Sequence, residues 1–201
     1  MSLDFVYLAS ASPRRRELLQ QIGVSFRVVG AAVDETAVPG EAPTAYVTRL
    51  AAAKADTGWD KSRDNTQVPV LAADTAVALE GQILGKPSDQ EHAESMLSQL
   101  SGRTHEVWTA VALRTAVGLQ YRISRSEVTF RSIAAGEARA YWETGEPADK
   151  AGAYAVQGRA AIFIAELRGS YSGVMGLPLF ETAELLSEAG VLRWPRPSQA
   201  R

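Results

Sequence analysis

Three arginines follow a Ser-Pro pair near the start of the chain, in the stretch SASPRRR. Its residue types predict a strand end, then a helix with Ser12 as N-cap and Pro13 at the first helical position. The N–H groups of a first helical turn lack partners within the helix, and guanidinium groups suit phosphate oxygens. The stretch therefore predicts a phosphate site that two of the three side chains of Arg14–Arg16 reach, because successive side chains do not share one helix face. A solvated basic face with an ordinary cap is the alternative.

Acidic side chains mark two further positions. The stretch VPVLAADT predicts a buried strand over 68–73 that ends at Asp74 and Thr75, where open α/β sheets place their chemistry. A carboxylate there can hold Mg²⁺ or take a proton from water. Asp34 and Glu35 lie in a predicted polar loop and are metal-ligand candidates if a phosphate binds nearby. A turn or cap at Asp74, and two solvated acids in the loop, are the alternatives.

Two glycine-containing stretches add candidate ligands. GQILGKP differs from a phosphate-binding loop, because its glycine spacing is one residue short and Pro87 replaces the metal-binding Ser or Thr. Lys86 is then either a point charge for a phosphate or an exposed turn lysine. In EPADKAGAYAVQG, small residues around Gln157 let the backbone approach a ligand closely. A tight loop in which Gln157 makes a structural hydrogen bond is the alternative.

Alternating strand and helix signals must position these residues, and they indicate an α/β protein. Periodicity, caps and turn residues predict strands over 5–9, 26–29, 68–73, 105–114 and 119–131, a hairpin over 76–84 that turns at Glu80-Gly81, and helices over 13–22, 44–55, 88–100, 136–144 and 178–188. Ser88 to Glu91 fit a capping box. We expect a single domain over 1–190, a charged surface excursion over 61–67, and a Pro- and Arg-rich tail over 191–201 without a fold of its own.

Composition narrows the classes of protein. The chain has 201 residues, 46% hydrophobic and 22% charged, with a net charge of −2, which indicates a globular protein without a generic basic field. Zero cysteines exclude disulfides, thiolate nucleophiles and thiolate metal sites, and two histidines disfavour a histidine-rich metal site. Neither a signal-peptide pattern nor an apolar run of the roughly 20 residues of a membrane span is present, so we expect a cytoplasmic protein.

The motifs occur in an order that resembles the Maf family of nucleoside triphosphate pyrophosphatases. They are SASPRRRELL, RLAAAKA around Lys54, AADT, GKP, SGRTHEVWTAV, GEPADKAGAYAVQG and GSYSGVMGLPL, and they extend from Leu8 to about Leu186. The resemblance implies a mixed sheet flanked by helices, with two lobes around a nucleotide-binding cleft, similar to inosine triphosphatases. It also implies hydrolysis of a nucleoside triphosphate to the monophosphate and pyrophosphate, with a divalent metal, Mg²⁺ or Mn²⁺, as cofactor.

Carried over position by position, the resemblance makes Asp74 the general base and, with Glu35, a metal ligand. For phosphate binding it implies Ser10, Arg14, Arg15, Lys54 and Lys86. The marks of substrate preference fall on Arg14, Thr75 and Gln157, which is similar to the subgroup that cleaves dTTP and UTP; the 7-methyl-GTP subgroup carries Trp, Gln and Glu there. The amide of Gln157 offers both a donor and an acceptor to the imide edge of thymine or uracil, whereas a glutamate offers only acceptors.

Rival functions remain open. One is a 7-methyl-GTP pyrophosphatase of the same family. Another is a nucleic-acid-binding module, which the net charge and the absence of interleaved basic and aromatic residues disfavour. A third is a regulatory protein, because the family name is linked to arrest of septum formation. We expect a nucleoside triphosphate as partner, no nucleic acid and no membrane, a homodimer as the resemblance suggests, and a role in clearing non-standard pyrimidine nucleotides.

Overall fold

The computed structural model describes residues 5–62 and 68–191. Most of the predicted charged excursion over 61–67, and all of the predicted tail beyond residue 191, lie outside the described residues. The strands are β1 (Val6–Leu8), β2 (Phe26–Val28), β3 (Val70–Leu79), β4 (Gln82–Leu84), β5 (Thr104–Thr115), β6 (Gly118–Phe130) and β7 (Ile164–Arg168). The helices are α1 (Pro13–Gln21), α2 (Pro43–Lys61), α3 (Gln90–Leu100), α4 (Ala135–Glu143), α5 (Tyr171–Met175) and α6 (Leu179–Glu188).

The seven strands form one mixed sheet in the order β2-β1-β3-β5-β6-β7, with β4 also paired to β3. β1 runs parallel to β2 and to β3, while the pairs β3–β4, β3–β5, β5–β6 and β6–β7 are antiparallel. This arrangement confirms the predicted α/β architecture with a mixed sheet flanked by helices. Among the helices of the described residues, none combines the length and the apolar content that a membrane span requires.

β3 forms the centre of the sheet, and nine of its ten residues are buried, the exception being Thr75. Small side chains let α2 lie close to one face of β3 and β5; they are Ala51, Ala55, Ala72, Ala76, Ala110 and Ala112. The approach is closest at Gly58, where an added Cβ would lie 2.9 Å from both Ala9 Cβ and Val70 Cγ1. Leucines of α1 and α6 cover the sheet elsewhere, and α3 and α4 enclose a separate aromatic-rich cluster.

Several predicted elements differ from the observed ones. The prediction that the strand ends at residue 73 is wrong, because β3 continues through Asp74 and Thr75 to Leu79 and turns at Glu80-Gly81 into β4. Both turn residues have positive φ, 52° and 81°. The strand can contain the buried Asp74 because Lys54 of α2 neutralises its negative charge. The helix predicted to end at residue 55 continues to Lys61.

The start of α3 also differs from the predicted capping box. Asp89, and not Ser88, is the N-cap, and its carboxylate accepts a hydrogen bond of 2.8 Å from the backbone N–H of His92. Ser88 instead donates its hydroxyl to the Asp89 carboxylate. An aspartate satisfies the free N–H groups as well as a serine does and adds a negative charge at the positive end of the helix.

Candidate active site

A cavity of about 1080 Å³ opens between the part of the sheet covered by α1 and α2 and the part enclosed by α3 and α4. The nine residues that the family resemblance assigns to the site all line it: Ser10, Arg14, Arg15, Glu35, Lys54, Asp74, Thr75, Lys86 and Gln157. Asp34, the other acid that the sequence offered as a metal ligand, is not part of this lining, and its carboxylate instead accepts a hydrogen bond of 2.9 Å from the Thr36 backbone N–H. Arg16, on the third position of the arginine run, is not part of this lining. The structure thus gathers side chains from α1, α2, β3 and four connecting segments around one space, whose size suits a nucleotide.

An unpaired stretch at the edge of β3 gives the cavity access to the centre of the sheet. β1 pairs with β3 at Tyr7 and Leu8, and Ala9 N–H then donates to the Leu71 carbonyl. β4 pairs with the same edge of β3 only from Val77 onward. Within the described residues, no strand covers this edge between those points, and Asp74 and Thr75 lie in that gap. The early end of β1, at the turn into α1, is therefore what opens the site.

Lys54 holds the two candidate catalytic carboxylates together. Its Nζ lies 2.6 Å from Asp74 Oδ1 and 2.6 Å from Glu35 Oε1. Lys54 is buried on α2, whereas Glu35 comes from the loop before that helix and also faces Lys86 Nζ at 3.4 Å. A single ammonium group thus neutralises a carboxylate in the sheet and connects the loop between β2 and α2 to it.

The surroundings shift the pKa values of the two carboxyl groups in opposite directions. Burial raises the pKa of Asp74 above its ordinary value, and the charges of Lys54 and Arg15 only partly counteract it. Burial alone would also raise the pKa of Glu35, but the contacts with Lys54 and Lys86 outweigh burial and lower it. A carboxyl group with a raised pKa accepts a proton more readily, so Asp74 is the better base of the two.

Arg15 is held by the protein itself. Its Nε donates to the Gly176 carbonyl at 2.7 Å, and Nη1 donates to Ser10 Oγ at 3.2 Å. Nη2 lies 3.4 Å from Thr75 Oγ1, which the Thr109 hydroxyl also contacts at 2.9 Å. Burial lowers the pKa of Arg15, and the negative charge of Asp74 opposes that shift. The guanidinium group therefore joins the β1–α1 turn, β3 and the segment around Gly176 in the cavity wall.

The N-terminus of α1 points its free N–H groups into the same region. Ser12 is the N-cap, as predicted, and Pro13 stands at the first position of the helix. The Ser12 side chain makes no capping hydrogen bond, and its backbone N–H donates to Ser10 Oγ at 3.2 Å. The first turn therefore keeps its N–H groups free of a side-chain cap, which suits an anionic ligand beside Arg14.

The carboxylates fit a divalent metal that also binds substrate. The described residues contain no group of three or more His, Cys, Asp or Glu side chains able to hold an ion alone. Mg²⁺ commonly takes one or two carboxylates and completes its shell with water and substrate phosphates. Glu35 and Asp74 both contact Lys54 Nζ, so two carboxylate groups lie close enough together to fit such an ion.

The far end of the cavity carries Gln157, which is exposed on a turn closed by a 3.0 Å hydrogen bond from Gly158 N–H to the Ala155 carbonyl. Next to it, Tyr154 is buried, and its hydroxyl lies 2.8 Å from Nε2 of His105. Burial lowers the pKa of His105 to about 4, which keeps the ring neutral. His105 thus supports the wall from behind and does not reach the cavity.

Sequence reasoning gave no role to Tyr46 and Glu146, two polar residues of the cavity lining. The Tyr46 hydroxyl donates to the Glu35 carbonyl at 2.9 Å and so fixes the loop that carries Glu35. Burial, with the nearby charges of Asp74 and Glu35, raises the pKa of Tyr46 to about 12, so this donor stays protonated. Glu146 lines the cavity beside the turn that carries Gln157. Tyr46 has no sequence signal beyond its place one helical turn after Pro43, and Glu146 stands in a motif that pointed only to a loop.

Comparison with known proteins agrees with the motif order. A family model described as Maf-like protein matches residues 5–189. A protein of Aromatoleum aromaticum named dTTP/UTP pyrophosphatase is 55% identical over 196 residues, covering 92% of this chain and 95% of its own. Proteins of the same name from Nitrosomonas europaea and Methylococcus capsulatus are 52% and 55% identical, with 92% of this chain covered in both and 95% and 90% of their own lengths. The match runs through every element that builds the cavity, and the chain belongs to the Maf family.

Proposed function

We propose that this protein hydrolyses dTTP and UTP to the corresponding monophosphate and pyrophosphate. The observation that carries the proposal is the convergence of the nine motif residues on one nucleotide-sized cavity. The relatives named dTTP/UTP pyrophosphatase support the same substrates, since they align over more than nine-tenths of the chain. No observation favours 7-methyl-GTP, for which the family places different residues at Arg14, Thr75 and Gln157.

The triphosphate binds along the N-terminus of α1 and the cationic side of the cavity. Arg14, Lys54 and Lys86 oppose its roughly four negative charges, and the N–H groups of the first turn add partial positive charge. Lys86 is exposed at the mouth and meets the outer phosphates, whereas Lys54 is buried beside Asp74. These cations also stabilise the negative charge that moves onto pyrophosphate as it leaves.

Asp74 performs the proton transfer. Its carboxylate accepts a proton from a water molecule whose oxygen attacks the α-phosphorus. The new P–O bond forms on the side opposite the α–β bridge, and the bridging P–O bond breaks with its electron pair passing to pyrophosphate. The proton remains on Asp74 until it exchanges with solvent. Lys54 holds the carboxylate in place, and its charge lowers the pKa of Asp74 against the larger effect of burial.

A bound divalent metal, Mg²⁺ or Mn²⁺, would neutralise phosphate charge and polarise the α-phosphoryl group. Glu35 and Asp74 would hold it. For that purpose Glu35 must leave Lys54 or share it, and its position on a loop allows such a movement more readily than the sheet position of Asp74 does.

The base is read at the end of the cavity that carries Gln157. The amide presents one donor and one acceptor, which matches the N–H and carbonyl groups of the thymine or uracil imide edge. Thr75 and Arg14 line the same cavity and contribute to the choice. Because free nucleotide pools are cytoplasmic, we place the enzyme's activity there, with the removal of non-standard pyrimidine nucleotides as its task.

The substitution Asp74→Asn tests the assignment of the base. We expect kcat to fall by about 10² to 10⁴-fold, the typical contribution of general-base catalysis. Nucleotide affinity, measured by calorimetry with a non-hydrolysable UTP analogue, should stay measurable, because Asn retains the hydrogen bond to Lys54. A variant that keeps nearly wild-type turnover would refute the role of Asp74.

A further inference from the structure

The turn that carries Gln157 is held at its two ends by two side chains, Tyr141 and Glu146, which are hydrogen-bonded to each other. At one end the Ala155 N–H donates to the Tyr141 hydroxyl oxygen at 3.1 Å. At the other end the Arg159 N–H donates to Glu146 Oε2 at 3.1 Å. The Tyr141 hydroxyl in turn donates to Glu146 Oε1 at 2.7 Å, which joins the two fastenings. We call Tyr141 and Glu146 the clamp.

The Glu146 carboxylate accepts hydrogen bonds from three donors, two in the turn segment and one from Tyr141. Besides Arg159 and Tyr141, the Ala160 N–H lies 3.5 Å from Oε1. Burial alone would raise the pKa of Glu146, but the hydroxyl and the two N–H donors outweigh it and lower the pKa, so the group stays ionised. Charge-assisted hydrogen bonds of this kind are about twice as strong as neutral ones. The carboxylate therefore acts on the backbone and has little capacity left for a ligand.

The backbone of the turn is shaped to receive this carboxylate. At Gly158 an added Cβ would lie 2.3 Å from both carboxylate oxygens of Glu146, so a side chain there is incompatible with the observed contact. Tyr141 is buried and stacks edge-on against Phe163 at 5.5 Å between ring centroids, which fixes its hydroxyl. The absence of a side chain at Gly158 and the buried ring of Tyr141 together allow Glu146 and Tyr141 to hold the turn through its backbone.

We propose that Glu146 and Tyr141 are positioning residues for base selection: by fixing both ends of the turn over 155–159, they set the orientation of the Gln157 amide toward the pyrimidine base. This inference rests on the proposed function, because it requires that Gln157 reads the base. An exposed amide on an unfastened turn would sample many orientations, and its donor and acceptor would match purines and pyrimidines with similar frequency. The clamp removes that freedom and makes the amide selective.

The test measures kcat/KM for UTP and for GTP in the wild type, Glu146→Ala, Tyr141→Phe and Gly158→Ala. Tyr141→Phe keeps the buried ring and removes only the hydroxyl, and circular dichroism checks that each variant folds. We expect the UTP-to-GTP ratio to fall by about tenfold, the effect of one lost charge-assisted hydrogen bond, in all three variants. Glu143→Ala, an exposed acid on the last residue of α4, should leave the ratio unchanged.

A double-mutant cycle with Gln157→Ala separates positioning from direct contact. If the clamp acts through Gln157, Glu146→Ala should have little further effect on the ratio once Gln157 is truncated. In the pH profile of kcat/KM, the fall in activity at acidic pH reports the ionisation of Asp74. The pH of that fall should be the same in every clamp variant as in the wild type. Equal effects of Glu146→Ala with and without Gln157 would overturn the inference, as would an unchanged ratio in a folded Tyr141→Phe enzyme.

The outcomes distinguish this inference from the proposed function. If the wild type cleaves UTP and Gln157→Ala lowers the ratio while the clamp variants do not, only the clamp is wrong. If the wild type does not cleave UTP at all, the proposed function is wrong, and the clamp loses its role with it.

Discussion

Removing the positive charge of Lys54 should move the pH at which the enzyme loses activity. In the proposed mechanism, Asp74 must be ionised to act as a base, so activity should fall as the pH drops through its pKa. Burial already raises that pKa above its ordinary value of 3.8, and Lys54 is the strongest opposing influence. The substitution Lys54→Met keeps the length and the packing of the side chain on α2 and removes the ammonium group. The pKa of Asp74 must then rise further.

The size of the shift follows from the contact. At the observed 2.6 Å, Coulomb's law with an effective dielectric constant of about 20 gives about 6 kcal/mol of attraction between unit charges. The desolvation of Asp74 is common to both proteins and does not enter the difference, and relaxation around the remaining carboxylate makes this attraction an upper bound on the shift. Close opposite charges typically move a carboxyl pKa by about 1 to 3 units, or about 1.4 to 4 kcal/mol. Both side chains are about nine-tenths buried, so solvent screening reduces this range little.

The assay is the pH dependence of kcat/KM for UTP, which reports the ionisations of the free enzyme. We expect the acidic limb of Lys54→Met to lie about 1 to 3 pH units above that of the wild type. Lys86→Met is the matched control: Lys86 contacts Glu35 but not Asp74, so its loss should raise KM without moving the limb. An acidic limb at the wild-type pH in Lys54→Met would refute the coupling of Lys54 to the catalytic base.

Two further predictions concern specificity and stability. Gln157→Glu replaces a donor with a second acceptor, so the ratio of UTP to GTP turnover should fall by about tenfold; an unchanged ranking would show that Gln157 does not read the base. Gly58→Ala should lower the free energy of unfolding by about 1 kcal/mol, because the methyl clash with Ala9 outweighs the gain in helix propensity. Gly136 lies at an exposed position of α4 with no atom within 4 Å of an added Cβ, so Gly136→Ala should raise the free energy of unfolding by about 0.5 to 1 kcal/mol; equal effects of the two substitutions in denaturant titrations would contradict the packing at Gly58.

Local signals in the sequence predicted most of the elements because they depend on neighbours in the chain. The Ser12-Pro13 start of α1, the hairpin turn at Glu80-Gly81 and the two long strands near residues 105–130 all appear where the pattern places them. Caps and turns are decided by a few adjacent residues, so one sequence is enough to find them.

The continuation of β3 through Asp74 depends on a residue twenty positions earlier. An aspartate normally marks the end of a buried strand, since an unpaired charge there is costly. Lys54 supplies the missing charge from α2, and neither periodicity nor spacing reveals that α2 crosses β3 at this place. The sequence therefore pointed to a carboxylate that does line the cavity, although it wrongly placed the end of the strand at that residue.

The sequence did not predict the clamp for the same reason. EPADK looks like a loop, and Tyr141 looks like a core residue of α4, which it also is. Their shared role depends on the turn over 155–159 folding back onto both, and only the tertiary structure shows that contact. The nine residues taken from the family resemblance, by contrast, needed no contact prediction, because the order of the motifs already assigned them to one site.

Product analysis of a nucleotide panel tests the central claim most directly. Purified protein with Mg²⁺ or Mn²⁺ is incubated with each common ribonucleoside and deoxyribonucleoside triphosphate and with 7-methyl-GTP, and the products are separated by chromatography. We expect UMP and dTMP, each with one equivalent of pyrophosphate, and much slower cleavage of the others. Preferred cleavage of 7-methyl-GTP would contradict the base assignment, and release of diphosphates with free phosphate would contradict attack at the α-phosphorus.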